Sequence, residues 1–120
     1  MYRQYSKNQY RTKSKYNNKT KNYNGRNYDS IREANHAEEL DWRIKAGEIK
    51  EVIPQYKIEL NVNGKHITRY YVDFKVIMAD GSVQFHEVKG FEQPLWIMKW
   101  RLLEALKDEI EPGAELIVIK

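Results

Sequence analysis

Apolar residues recur along this chain in three different patterns, and each predicts an element. Counting from Ile31, the residues Ala37, Leu40 and Ile44 gather on one side of a helical wheel, opposite Ile31 itself. Ser30 followed three residues later by Glu33 spells a capping box, and Gly47 supplies a C-terminal stop, so a helix is predicted from Ile31 to Ala46. Gln55–Val62 alternates polar and apolar residues, as a half-buried strand does, and Pro54 marks either its entry or an edge position. Asn63-Gly64 is a strong hairpin signal, so a strand from about His66 to Met78 should run back beside the first. A second turn at Ala79-Asp80-Gly81 leads into a third strand that carries Glu87-Val88-Lys89. Pro94 opens a helix that runs to about Ile110, with Trp96, Trp100 and Leu103 as its core stripe. Glu111-Pro-Gly-Ala114 breaks it, and Glu115–Lys120 is a nearly continuous apolar run, the pattern of a strand covered on both faces. The predicted order is helix, three-stranded antiparallel meander, helix, strand: an α/β domain of the α+β, mixed-sheet kind over residues 28–120.

The second turn decides which side chains meet. A two-residue loop at Asp80-Gly81 sets Asp73 opposite Val88 and sends Glu87 to the other face. A three-residue loop with Gly81 in the left-handed conformation sets Asp73 opposite Glu87. The three-residue form is expected, because a buried acid on each face is the costlier arrangement.

Charge divides the chain. Residues 1–27 carry eight Lys and Arg, no acid, five tyrosines and six asparagines, whereas residues 28–120 hold 13 basic and 17 acidic residues. The first 27 residues contain no Leu, Ile, Val or Phe, so they cannot bury enough apolar surface to offset ordering and read as a flexible arm. Lys13, Lys15, Lys19, Lys21 and Arg26, interleaved with tyrosines, fit phosphate contact and base stacking; a plain solvated leader is the alternative. The absence of cysteine removes disulfides, thiolate metal sites and cysteine nucleophiles. No apolar run approaches the roughly 20 residues of a membrane span, and no signal-peptide core is present, so a cytoplasmic protein with no membrane partner is expected.

Three acids then need an explanation. Asp73 and Glu87 occupy core-rich strands, and Glu33 falls at the centre of the first helix's apolar face, where a purely capping acid would serve equally well at the rim. Two carboxylates ~4 Å apart repel by roughly 4 kcal/mol at an effective dielectric near 20. A hard cation such as Mg²⁺, with Mn²⁺ as substitute, relieves that repulsion through oxygen ligands from Asp73, Glu87, Glu33 and the Val88 carbonyl. Lys89 lies two residues beyond Glu87 on the same strand face, suited to hold a water or a transition-state oxygen. A carboxylate-held metal beside a lysine is an arrangement for cutting phosphodiesters.

Asp73, then Glu87-Val88-Lys89 fourteen residues on, with Glu33 on a preceding helix, resembles the PD-(D/E)xK nuclease superfamily, whose common core has the same element order. The segments Tyr28-Asp-Ser-Ile-Arg-Glu-Ala, Ala46-Gly-Glu-Ile-Lys and Asp73-Phe through Glu87-Val-Lys-Gly90 further resemble a small phage and prophage family of that type. Val72 stands where the superfamily has proline before the aspartate. The resemblance implies a restriction-endonuclease-type fold and a nuclease, without fixing its substrate, with Glu33, Asp73, Glu87 and Lys89 catalytic. The expectation is an Mg²⁺-dependent endonuclease of a phage or prophage acting on branched or otherwise structured DNA. A four-way junction as substrate implies a homodimer, since cutting two strands takes two active sites. Lys99 is either the basic residue the superfamily keeps near the scissile phosphate or part of a solvated helix face. Arg101 on the same helix, and Gln55 on its strand, are further candidates for DNA contact. His86 should point to the face opposite Glu87 and is not counted as a ligand. The alternative function is a non-catalytic nucleic-acid-binding protein that keeps the fold as a replication or packaging accessory.

Overall fold

A long hairpin closed by Asn63 and Gly64 is the largest feature of the computed structural model, which describes residues 21–23, 25–28 and 30–120. Two compact units divide between Glu38 and Glu39. In the first unit, β1 (Lys21–Tyr23) and β2 (Arg26–Tyr28) pair antiparallel, with Lys21 opposite Tyr28. This hairpin falls mostly within the stretch read from sequence as a flexible arm; Lys13, Lys15 and Lys19 lie outside the described residues. Helix α1 (Ile31–Lys45) begins in this unit. Its cap is the predicted one: Ser30 Oγ accepts the Glu33 N–H at 3.0 Å.

The second unit holds the rest of α1, then β3 (Ile49–Val62), β4 (Lys65–Met78), β5 (Val83–Val88), α2 (Pro94–Ile110) and β6 (Glu115–Ile119). The four strands form one sheet in the order β3-β4-β5-β6, the first two pairings antiparallel and the last parallel. The fold is therefore α+β with a mixed sheet. β3 starts well before Gln55 and carries Pro54 in its interior, which is tolerated because β3 is an edge strand. Asn63 and Gly64 take φ of 52° and 76°, the two positive values that a tight primed turn requires. The parallel step from β5 to β6 is made through α2, as a crossover must be.

Helix α2 supplies the core. Trp96, Trp100, Leu103 and Leu106 are buried from its inner face against Ile58 and Leu60 of β3, Tyr70 and Val72 of β4, and Phe85 of β5. Each such large side chain contributes about 2 kcal/mol on leaving water. The indoles of Trp96 and Trp100 stack with centroids 5.6 Å apart, and Tyr70 meets Trp100 edge-on at 6.2 Å. β6 departs from expectation: it is an outer strand, half-buried along most of its length rather than covered on both faces.

Two local features set the geometry of the acids. The first is the turn after Met78. Met78 N–H donates to Ser82 O, Gly81 N–H donates to Met78 O, and Gly81 has φ of 90°. The loop is thus the three-residue one, and the ladder runs Ile77↔Val83, Val76↔Gln84, Lys75↔Phe85, Phe74↔His86. Asp80 ties it by accepting both the N–H and the hydroxyl of Ser82, which holds its own carboxyl below the ordinary range.

The second is a slip in side-chain alternation. Tyr70 pairs with Ile58, and Lys75 pairs with Phe85; both partners belong to the core packed on α2. Paired residues share a face, so Tyr70 and Lys75 lie on the same side. They are an odd number of residues apart, so β4 must lose one step of alternation between them. β3 loses one as well, between Ile53 (opposite Lys75) and Ile58 (opposite Tyr70). The place is marked by Gln55, a non-glycine residue with φ of 52°, and its neighbour across the ladder is Asp73. The strict period-2 pattern of Gln55–Val62 therefore holds only from Tyr56 onward.

Candidate active site

At the slip, the main-chain ladder between β4 and β5 gives way to carboxylates. Asp73 follows the last ladder pair, Phe74↔His86, and there side-chain oxygens accept the main-chain N–H groups. Asp73 N–H donates to Glu87 Oε1 at 3.3 Å, and Val88 N–H donates to Asp73 Oδ2 at 2.9 Å. Gln55 Nε2 donates to Asp73 Oδ1 at 3.3 Å from the edge strand. The acids are thus held by adjacent strands through each other's backbone, and both are almost wholly buried, Asp73 at 5% and Glu87 at 3% exposure.

Two more elements close on Glu87. Tyr70 OH donates to Glu87 Oε1 at 2.6 Å, and Trp96 Nε1–H donates to Tyr70 OH at 2.9 Å. Lys89 Nζ lies 3.6 Å from Glu87 Oε2 and 5.2 Å from the centroid of the Trp96 ring. Oε1 therefore accepts twice, which fills its two lone pairs. A proton on Glu87 sits on Oε2, the oxygen beside Lys89.

Glu87 does want a proton. Burial, and after it the charge of Asp73, pushes its carboxyl up to about 8, against the Tyr70 hydrogen bond and the Lys89 charge, which pull it down. Burial and the neighbouring Glu87 charge hold the Tyr70 hydroxyl far above its ordinary value, so it remains a donor.

The pair suits a hard divalent ion. It offers two carboxylates with one lysine against two negative charges, and Glu87 is short of positive charge. Among the described residues no group of three or more His, Asp and Glu side chains converges to hold a metal ion. An ion here would rest on Asp73, Glu87 and the Val88 carbonyl, with water or phosphate oxygens completing the shell, the sparse protein ligation that Mg²⁺ accepts.

The other sequence candidates fall as follows. Glu33 belongs to the first unit, buried in the opening turn of α1. Gln55 holds Asp73 and so serves the site's edge. His86 is buried on the face away from Phe85, its Nε2 2.8 Å from Gln84 Oε1. Lys99 is half-buried on α2, and burial lowers its pKa. Arg101 lines a groove of about 370 Å³ with Glu92, Glu104, Trp96, Trp100 and Val118. Lys21 and Arg26 lie in β1 and β2. The sequence reading missed Tyr70 and took Trp96 as core alone. The available signal was that a buried tyrosine or tryptophan needs a partner for its polar atom.

The fold and this acid pair define an α+β domain with a buried carboxylate–lysine centre. The chain belongs to the family described as Protein of unknown function (DUF1064), whose profile matches residues 13–112 and so takes in Asp73, Glu87 and Lys89. No curated protein and no solved structure matches it. Among the described residues no helix is long and apolar enough to cross a membrane.

Proposed function

We propose that this chain is a divalent-metal-dependent endonuclease that hydrolyses phosphodiester bonds in DNA, with branched or otherwise structured DNA as its substrate. The observation that carries the reading is the juxtaposition of Asp73, Glu87 and Lys89: two buried carboxylates with Glu87 forced up to about 8, and an ammonium 3.6 Å from Glu87 Oε2. Such a pair destabilises the fold when ionised without a countercharge, and ion binding gives the cost a purpose. The spacing that resembles the PD-(D/E)xK superfamily points the same way.

In this reading Asp73, Glu87 and the Val88 carbonyl hold Mg²⁺, which supplies Lewis acidity toward the phosphate and the attacking water. Lys89 donates hydrogen bonds to that water or to a non-bridging oxygen as negative charge develops. Gln55 keeps the Asp73 carboxylate aimed by holding Oδ1. Lys99, Arg101 and the basic residues of the first 27 give phosphate affinity that falls with salt. A four-way junction as substrate brings two centres together in a two-fold dimer.

The test is a cleavage panel of duplex, flap, four-way junction and single-stranded DNA with Mg²⁺ and with Mn²⁺. Asp73→Asn and Lys89→Ala should abolish cutting while DNA binding survives. If both variants cut like the wild type, the reading is wrong. A non-catalytic nucleic-acid-binding role is the second reading, favoured by the lack of a three-carboxylate group among the described residues. Calorimetry separates the two, because only the nuclease requires Mn²⁺ binding that Asp73→Asn removes.

A further inference from the structure

We infer that Tyr70 and Trp96 are positioning residues of this centre, forming with Glu87 and Lys89 a closed ring that sets the carboxylate and the ammonium in fixed relation. The inference rests on the nuclease reading and deepens it. The ring has four contacts: Trp96 Nε1 to Tyr70 OH at 2.9 Å, Tyr70 OH to Glu87 Oε1 at 2.6 Å, Glu87 Oε2 to Lys89 Nζ at 3.6 Å, and Lys89 Nζ to the Trp96 ring centroid at 5.2 Å. It joins β4, α2 and β5 with Lys89 just beyond the strand's end, so no member can turn without breaking a contact on another.

The direction of the hydrogen bonds is fixed by chemistry. An indole N–H can only donate, and a phenol has one hydrogen and two lone pairs. Trp96 therefore donates to Tyr70, which spends its hydrogen on Glu87. With Asp73 N–H on the same oxygen, the torsion of the Glu87 carboxylate is pinned and Oε2 is presented beside Lys89. Lys89 has a flexible four-carbon stem, and the face of Trp96 restricts where its ammonium rests. Trp96 in turn is wedged on Trp100 and buried to 6% exposure. Core packing alone asks only for apolar volume at positions 70 and 96. A hydrogen-bonded relay ending on a candidate ligand does more, since such outer partners orient the groups that hold an ion.

The experiment uses the full chain with Tyr70→Phe, which removes only the hydroxyl, and Trp96→Phe, which removes the N–H together with one ring of a buried side chain. Three quantities are read: the Mn²⁺ dissociation constant by calorimetry without DNA, and kcat and KM on whichever DNA the wild type cuts. Tyr70→Phe should weaken Mn²⁺ roughly tenfold or more and lower kcat by a similar factor, with KM within about twofold. Trp96→Phe should shift both in the same direction by less, because it keeps an aromatic face for Lys89. The double variant should fall short of the product of the two effects, since both act through one relay. Wild-type Mn²⁺ affinity and kcat in Tyr70→Phe and Trp96→Phe would sink the positioning role and leave the nuclease reading standing. A wild type that neither binds Mn²⁺ through Asp73 nor cuts any DNA sinks both.

Discussion

Asp73 lends its main-chain N–H to Glu87 Oε1 at 3.3 Å, although the charge of Asp73 is a main reason that Glu87 resists ionising. The two residues are bound through the backbone and opposed through their side chains. That opposition gives the metal-free protein a characteristic response to pH.

Glu87 holds its proton to about pH 8 in the folded chain, whereas its ordinary value is 4.5. Between those values the unfolded chain has already released a proton that the folded chain still holds, so stability falls as pH rises. The contribution is fully present below about pH 4.5 and lost by about pH 8. In EDTA, Tm should therefore decline from pH 5 to pH 8, and Mg²⁺ should oppose the decline most at the alkaline end. Differential scanning calorimetry across that range checks it; a flat EDTA profile contradicts the buried pair.

Glu87→Gln removes the titrating group and keeps its shape. Its EDTA profile should be flatter than that of the wild type, with higher stability at pH 8. Cleavage and Mn²⁺ binding should both be lost. Gain of stability with loss of function at one position is the mark of a strained site rather than a packing residue. Thermal melts at two pH values, beside one activity assay, decide it.

Gly81 sits at φ of 90°, and a Cβ there would meet nothing within 4 Å. Gly81→Ala therefore isolates the backbone cost of the left-handed conformation, about 1–2 kcal/mol. Urea denaturation should show that loss with an unchanged m-value. A larger loss, or a changed m-value, would mean that the β4–β5 register itself has moved.

Gln55 combines strain with a contact: φ of 52° and an amide on Asp73. Gln55→Ala loses the contact and keeps the strain, while Gln55→Gly loses the contact and releases the strain. The glycine variant should be the more stable of the two by about 1 kcal/mol. Both should lose activity to the same degree if the amide aims Asp73. Unequal activity would point instead to backbone geometry as the function of that position.

The parts of this molecule written in local chemistry were readable from residues alone. Pro94 opens α2, Ser30 caps α1, Asn63-Gly64 closes the long hairpin, and Asp80-Gly81 in its three-residue loop brings Asp73 to Glu87. The slip at Gln55 and Asp73 was not readable, because its signature is a positive φ at a glutamine, which no composition announces. The first half of β3 was missed because Pro54 reads as a boundary unless the strand is known to lie at an edge. The hairpin of β1 and β2 was hidden among polar residues, although Asn24-Gly25 carries the same turn signal as Asn63-Gly64. Trp96 was legible as core but not as site, and Tyr70 as neither, since their roles depend on which polar atom each one meets across the sheet.

The three-residue turn also has a consequence for how this chain can vary in length. Adding or deleting one residue between Met78 and Ser82 exchanges the two layers of β5 at a stroke. Phe85 leaves the core, His86 takes its place against α2, and Glu87 turns away from Tyr70. A two-residue change preserves the layers. The turn therefore acts as a parity lock for as long as the ladder continues straight into it. An odd change in length there has to be looped out or taken up by a bulge, as the register shift between Leu60 and Asn61 takes up an odd residue at the other end of β4.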